Sequence, residues 1–191
     1  GHKIFGPTGI GVTYIHSSLL DLLPPWQGGG NMIKDVTFEE TSYQPAPGKF
    51  EAGTPNIADS VGLGAALDYV SQFGLPQIGR YEHSLLEYAQ EQLSRINGVR
   101  LIGLAREKVA VQSFVIPGRK SEEIGKLLDQ QGIAVRAGHH CAQPSLRRFG
   151  LESSVRPSFC FYNTFDEIDR LAVVHQIAGS LENVFWVKGA P

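Results

Sequence analysis

The chain has 191 residues, room for one large domain or two small ones at ~100–200 residues each. Hydrophobic residues at 42% and charged residues at 19%, with 10 Phe, 6 Tyr and 2 Trp, can bury a core and exclude intrinsic disorder. A formal net charge of −2 excludes a basic nucleic-acid or membrane footprint as the main business of the chain, and no apolar run approaches the ~20 residues of a membrane span.

The chain opens on Gly1-His2-Lys3, then a Gly/Pro loop, Gly6-Pro7-Thr8-Gly9, and a β-rich stretch, Ile10 to Ile15, that predicts a strand. Ser17 or Ser18 is placed to cap a short helix to Leu23, stopped by Pro24-Pro25. Gly28-Gly29-Gly30 is a flexible break, and Lys34 to Phe50 reads as irregular strands ending in a Pro-rich loop. From Asn56 the apolar residues Ile57, Val61, Leu63, Leu67 and Val70 fall at helical spacing and predict a mostly buried helix to Gly74. A second helix is predicted over Gln77 to Ile96, ended by Asn97-Gly98. Beyond it the expected order is strands at Val99–Leu101 and Val109–Ile116, a helix from Ser121 to Gln131 and a short strand Ile133–Arg136. Helical turns at Pro144–Phe149, a strand at Ser154–Tyr162 and a helix from Asp166 to about Val184 complete it. That order predicts an α/β protein whose second part is an antiparallel sheet covered on one face, with a boundary near Asn97-Gly98. No internal repeat is visible. Met32 is the only methionine, and a piece of a longer chain is expected.

Four groups of residues carry chemistry. Lys3 precedes a turn of small residues; a lysine in a concave apolar site can form a Schiff base, whereas a solvated lysine is the plainer alternative. Arg136-Ala137-Gly138-His139-His140-Cys141-Ala142 sets a thiol on a loop beside two imidazoles and a guanidinium, the surroundings of a nucleophilic cysteine. An inert loop and a zinc site are the alternatives, although adjacent residues rarely bend onto one tetrahedral ion. Cys160, inside an apolar strand, reads as packing. With two cysteines there is no disulfide framework, which points to a reducing, cytoplasmic setting. Arg156, within an apolar strand, needs an acid or a bound carboxylate. Thr54, just before Asn56, can cap a helix or hold a phosphate.

Taken together, GHKIFGPTGIGVTYI, PPWQGGGNMI, FEAGTPNIADSVGLGAALDYV, GIAVRAGHHCAQP and SSVRPSFCFYNTFDEIDRL resemble the group II cysteine desulfurases that depend on pyridoxal 5'-phosphate (PLP), and their relatives the selenocysteine lyases. The resemblance runs from Gly1 to about Leu181, and the RxGHHCA loop is its most specific part. It implies the C-terminal part of a fold-type I PLP-dependent transferase. Residues 1–97 would close the large PLP-binding domain, and residues 98–191 would form a small α/β domain with the cysteine loop.

The resemblance also implies roles. Lys3 matches the lysine that holds PLP as a Schiff base and shuttles the α-proton, and His2 matches a histidine near the cofactor phosphate. Thr54 matches a threonine that reaches the phosphate in the other subunit, which implies a homodimer. Arg156 matches the arginine that grips the substrate carboxylate, Arg136 a second arginine beside the cysteine, and Cys141 the sulfur acceptor. L-cysteine or L-selenocysteine would be the substrate, and the persulfide would pass to an acceptor protein for iron–sulfur cluster assembly. An N-terminal segment carrying the rest of the cofactor pocket would be missing, leaving the site incomplete in this chain alone. A non-catalytic dimerisation or docking fragment is the alternative from another class. His139 or His140 would tune the thiol or the departing protons, with neither singled out, and Asn163 is assigned no role.

Overall fold

The computed structural model describes residues 1–172 and divides into two compact units, Gly1–Gly74 and the chain from Leu75 onward. In the first unit, His2–Phe5 forms a turn, closed by Ile4 N–H and Gly6 N–H donating to the Gly1 carbonyl at 2.9 and 3.1 Å. The stretch expected as a strand, Ile10 to Ile15, joins no ladder among the described residues, and Val12 and Tyr14 are exposed. Its β propensity has no neighbouring strand here to supply hydrogen bonds and side-chain contacts. Helix α1, Ser17–Leu20, is shorter than expected, and its cap is His16, whose Nδ1 accepts from Ser18 N–H, rather than either serine. Strands β1, Ile33–Val36, and β2, Thr41–Tyr43, pair antiparallel around a turn in which Thr37 Oγ1 accepts from the backbone of Glu39 and Glu40.

Helix α2, Ile57–Phe73, starts where expected because Asn56 Oδ1 accepts from Asp59 N–H, and it ends at Gly74, whose φ of 78° suits glycine. The expectation that it is mostly buried is corrected: among its residues Leu63 and Val70 are buried, while Ile57, Val61, Leu67 and Phe73 are exposed. Helical spacing identified the helix, but burial also requires a facing element. Gly62 lets the loop at Pro7 close onto α2, since a Cβ there would lie 2.7 Å from Pro7 Cγ.

The second unit begins with α3, Leu75–Ser94, so the compact units divide earlier than the Asn97-Gly98 boundary expected from sequence. The reason is packing: Leu85, Leu86, Ala89 and Leu93 form one stripe of α3 and share a core with Phe114, Ile116, Ile124, Leu128 and Val155. The sheet holds β3, Arg100–Ile102, β4, Ser113–Val115, β5, Arg136–Gly138, and β6, Ser154–Arg156, in the antiparallel order β3-β4-β6-β5. Helices α4, Ser121–Gln130, α5, Gln143–Arg148, and α6, Phe165–Leu171, complete the described part. The strands are shorter than expected at β4 and β6, and β5 starts at Arg136, where Ile133–Arg136 was expected to end. At β6 the ladder is interrupted at Pro157, which has no N–H to donate, and resumes in the same register at an isolated Val111–Ser158 pair. The cap of α6 is a reciprocal pair, Thr164 and Glu167, and the expected continuation to Val184 lies outside the described residues.

Register decides which residues face away from the core. Phe114 pairs with Val155, and Val155 with Ala137, so these three share the core face. Their neighbours Ser113, Ser154, Arg156, Arg136 and Gly138 therefore lie on the opposite face. Gly125 lets α4 lie close on β5, because a Cβ there would sit 2.9 Å from Ala137 Cβ. Gln112 is fully buried and uses all four of its hydrogen-bonding positions. Its amide donates to the Ile102 and Ser113 carbonyls at 3.0 and 2.8 Å. Its oxygen accepts from Lys108 Nζ at 2.8 Å and Gln90 Nε2 at 2.7 Å.

Candidate active site

The loop that leaves β5 carries the expected thiol in an unusual backbone. Gly138 has φ 123°, and His140 and Cys141 both have φ 56°. A side-chain-bearing residue in the left-handed region costs ~1–2 kcal/mol, so two in succession persist only where other contacts hold them. Cys141 N–H donates to His139 Nδ1 at 3.0 Å, and Ala142 N–H to the His139 carbonyl at 2.9 Å. Cys141 is exposed, and Arg136 Nη2 lies 3.7 Å from its sulfur, in place to donate to it.

Arg136 and Arg156 are direct partners in the β5–β6 register, so two guanidinium groups stand opposite one another on one face of the sheet. Like charges in that position are destabilising by themselves. The Arg156 Nε is buried without a hydrogen-bond partner, and no acid pairs with either arginine among the described residues. Among the described residues, Arg156 thus lacks the internal salt bridge that the sequence left as its alternative. An incoming carboxylate would satisfy both the charge and the stranded N–H. Arg156 lines a cleft of about 340 Å³ with Lys108, Ser113, His140, Leu146 and Ser154. His140 Nε2 sits 2.9 Å from both the carbonyl and the hydroxyl of Ser154. Burial, then the charge of Arg156, lowers the pKa of His140, and the charges of Arg136 and His139 add to this against the Ser154 hydrogen bond. Burial likewise lowers the pKa of Lys108, whose Nζ also donates to the Gly103 carbonyl at 2.7 Å.

Sequence reasoning missed Lys108 and Ser154. The alternation of Ser154, Val155 and Arg156 was a usable signal for Ser154, since Val155 faces the core and its two neighbours do not. Lys108 gave none, because its contacts arise from a loop folded around Gln112. The two imidazoles of the loop engage different partners, and among the described residues no three His, Cys, Asp or Glu side chains are grouped to hold a metal. Cys160 is half-buried, and its hydrogen bond with the Tyr162 hydroxyl raises the pKa of that phenol.

In the first unit, His2 and Lys3 are exposed on the opening turn, and Lys3 forms no ion pair among the described residues. An accessible amine of this kind can condense with an aldehyde. Thr54 is exposed just before α2, and because Asn56 provides the cap, the Thr54 hydroxyl is not spent there. An accessible amine and a spare hydroxyl fit an aldehyde cofactor that bears a phosphate. Arg136, His140, Cys141 and Arg156 are brought together within the second unit alone.

The chain is similar to known proteins along nearly its whole length. A cysteine desulfurase of Synechococcus elongatus is 65% identical over 172 residues, covering 90% of this chain and 28% of that protein. A cysteine desulfurase of Salmonella agona is 45% identical over 94% of this chain and 45% of its own length. Among solved structures, the apo cysteine desulfurase of Thermococcus onnurineus superposes with a TM-score of 0.88 at 36% identity, over 93% of this chain and 45% of that one. The cysteine desulfurase CsdA of Escherichia coli gives 0.87 at 39% identity, over 94% and 45%. The chain therefore has the α/β fold of these enzymes while spanning less than half the length of each. Residues 1–171 match the aminotransferase class-V family, and the chain belongs to it.

Proposed function

We propose that the chain is the C-terminal part of a PLP-dependent cysteine desulfurase that converts L-cysteine to L-alanine and leaves a persulfide on Cys141. The observation that carries this reading is the cysteine loop: Cys141 is exposed with Arg136 at 3.7 Å, and Arg136 is paired in register with an Arg156 whose Nε is stranded. Arg156 would grip the substrate carboxylate and so fix the orientation of the amino acid, and orientation of this kind can be worth several kcal/mol of barrier. Lys3 would hold PLP, with His2 toward its phosphate and Thr54 toward the phosphate of the PLP in the other subunit. When bound, PLP supplies the electron sink for charge at the substrate Cα. The Lys3 amine would remove the α-proton and later return protons as a general acid. The Cys141 thiolate would attack the substrate sulfur: a new S–S bond forms, the Cβ–S bond breaks, and its electron pair stays with the carbon fragment, which leaves as alanine once protonated.

On this reading residues 1–97 are the end of the large domain and residues 98–191 the small one, even though α3 packs with the latter. A homodimer, in which Thr54 reaches the cofactor phosphate of the other subunit, and a sulfur-acceptor protein serving iron–sulfur cluster assembly in the cytoplasm complete the proposal. The test is mass analysis of the complete enzyme after exposure to L-cysteine. One additional sulfur atom on Cys141, absent in Cys141→Ala, supports the reading; no sulfur on Cys141 in active enzyme overturns it.

A further inference from the structure

The two histidines of the cysteine loop have separate tasks. His139 acts within the loop, accepting the Cys141 N–H at 3.0 Å. His140 reaches across to β6, with Nε2 at 2.9 Å from both the carbonyl and the hydroxyl of Ser154. A carbonyl oxygen can only accept, so Nε2 carries the proton and donates it. Ser154 pairs with Gly138, the last residue of β5, and lies two residues before Arg156 on the same face. Beyond Gly138, the hydrogen bonds from residues 139–141 to β6 all come from the His140 imidazole among the described residues. The other partners of Cys141, His139 and Arg136, belong to its own side of the loop.

We propose that His140 is a positioning residue for the sulfur-accepting thiol, its Nε2–H tying the left-handed His140–Cys141 backbone to the strand that carries Arg156. One imidazole then sets the spacing between the thiol and the group that grips the substrate. The part played by Cys141 rests on the proposed function; the tie itself does not. Two adjacent left-handed residues would otherwise relax, carrying the thiol away from Arg136.

The test uses His140→Asn, His140→Gln and Ser154→Ala in the complete enzyme. Asparagine accepts the left-handed backbone but is too short to reach Ser154, so it removes the tie without adding strain. The Gln amide places an N–H near the imidazole Nε2 position, and Ser154→Ala keeps the carbonyl. In His140→Asn the amides of residues 139–142 are expected to exchange about tenfold faster or more. Persulfide formation on Cys141 should slow by on the order of a hundredfold with KM unchanged, because misplacement by ~1 Å is that costly. His140→Gln should recover most of both losses, and Ser154→Ala, which keeps the carbonyl acceptor, should leave the amide exchange of residues 139–142 as in the wild type. Wild-type amide exchange in His140→Asn, or a Gln variant as impaired as Asn, overturns the proposal. Failure of the wild type to load sulfur on Cys141 would instead overturn the functional reading, with the exchange comparison still deciding the tie.

Discussion

If Arg156 is kept for a ligand, the ligand-free fold tolerates it at a cost, and removing it should stabilise the protein. The buried Nε has no hydrogen-bond partner, and a stranded buried N–H costs about 1–3 kcal/mol. Opposition to Arg136 directly across the ladder adds roughly 0.2–1 kcal/mol. Arg156→Met removes both while its unbranched side chain preserves most of the contacts of the arginine stem. The expected net gain is about 1–3 kcal/mol, read as a higher urea midpoint at unchanged m-value. Near the melting temperature, each 1 kcal/mol corresponds to roughly 4–8 °C in a domain of 60–100 residues and somewhat less in a larger one. A second arm adds the amino acid product: L-alanine should raise the midpoint of the wild type in the complete enzyme and leave Arg156→Met unmoved. A lower midpoint for Arg156→Met would refute the reasoning, because it would mean that the native fold satisfies Arg156 internally.

Two further outcomes follow from particular contacts. His140 has its pKa lowered by burial and by the neighbouring Arg156, Arg136 and His139. A group depressed below its unfolded value of ~6.5 contributes stability above that pH and loses it as the pH falls through the folded value. Between pH 7.5 and 5, therefore, the urea midpoint of the wild type should fall relative to that of His140→Gln; parallel pH profiles would contradict this. In the first unit, Gly62→Ala places a methyl 2.7 Å from Pro7 Cγ, a ring atom that cannot swing aside. Overpacking of that kind costs about 1–3 kcal/mol, so calorimetry should show a lower melting temperature, and an unchanged one would mean that the opening loop moves freely from α2.

Much of the element order was legible because short-range rules govern it. The N-terminal boundary of α2 follows from Asn56 and the stripe on α3 from helical spacing. The misreadings share one cause. Ile10–Ile15 has the residues of a strand and α2 has those of a buried helix, but pairing and burial are relations between segments, and sequence pattern describes one segment at a time. The same limit hid the packing of α3, which lies before Asn97-Gly98 in the chain but buries its leucines against β4, β6 and α4.

The candidate site divides in the same way. The sequence by itself determined which reactive groups are present, an amine at Lys3, a thiol at Cys141, guanidiniums at Arg136 and Arg156, and through its motifs the likeness to one enzyme family. Residue type fixes chemistry, and chemistry is local. Only the tertiary structure decided that Arg136 and Arg156 stand opposite each other with no acid paired to either among the described residues, that Lys108 bonds to a buried glutamine, and that His140 rather than His139 reaches Ser154. Those facts depend on strand register and on a left-handed loop. Register is set by the burial of Phe114 and Val155 on the far side of the sheet, a choice made by the core as a whole.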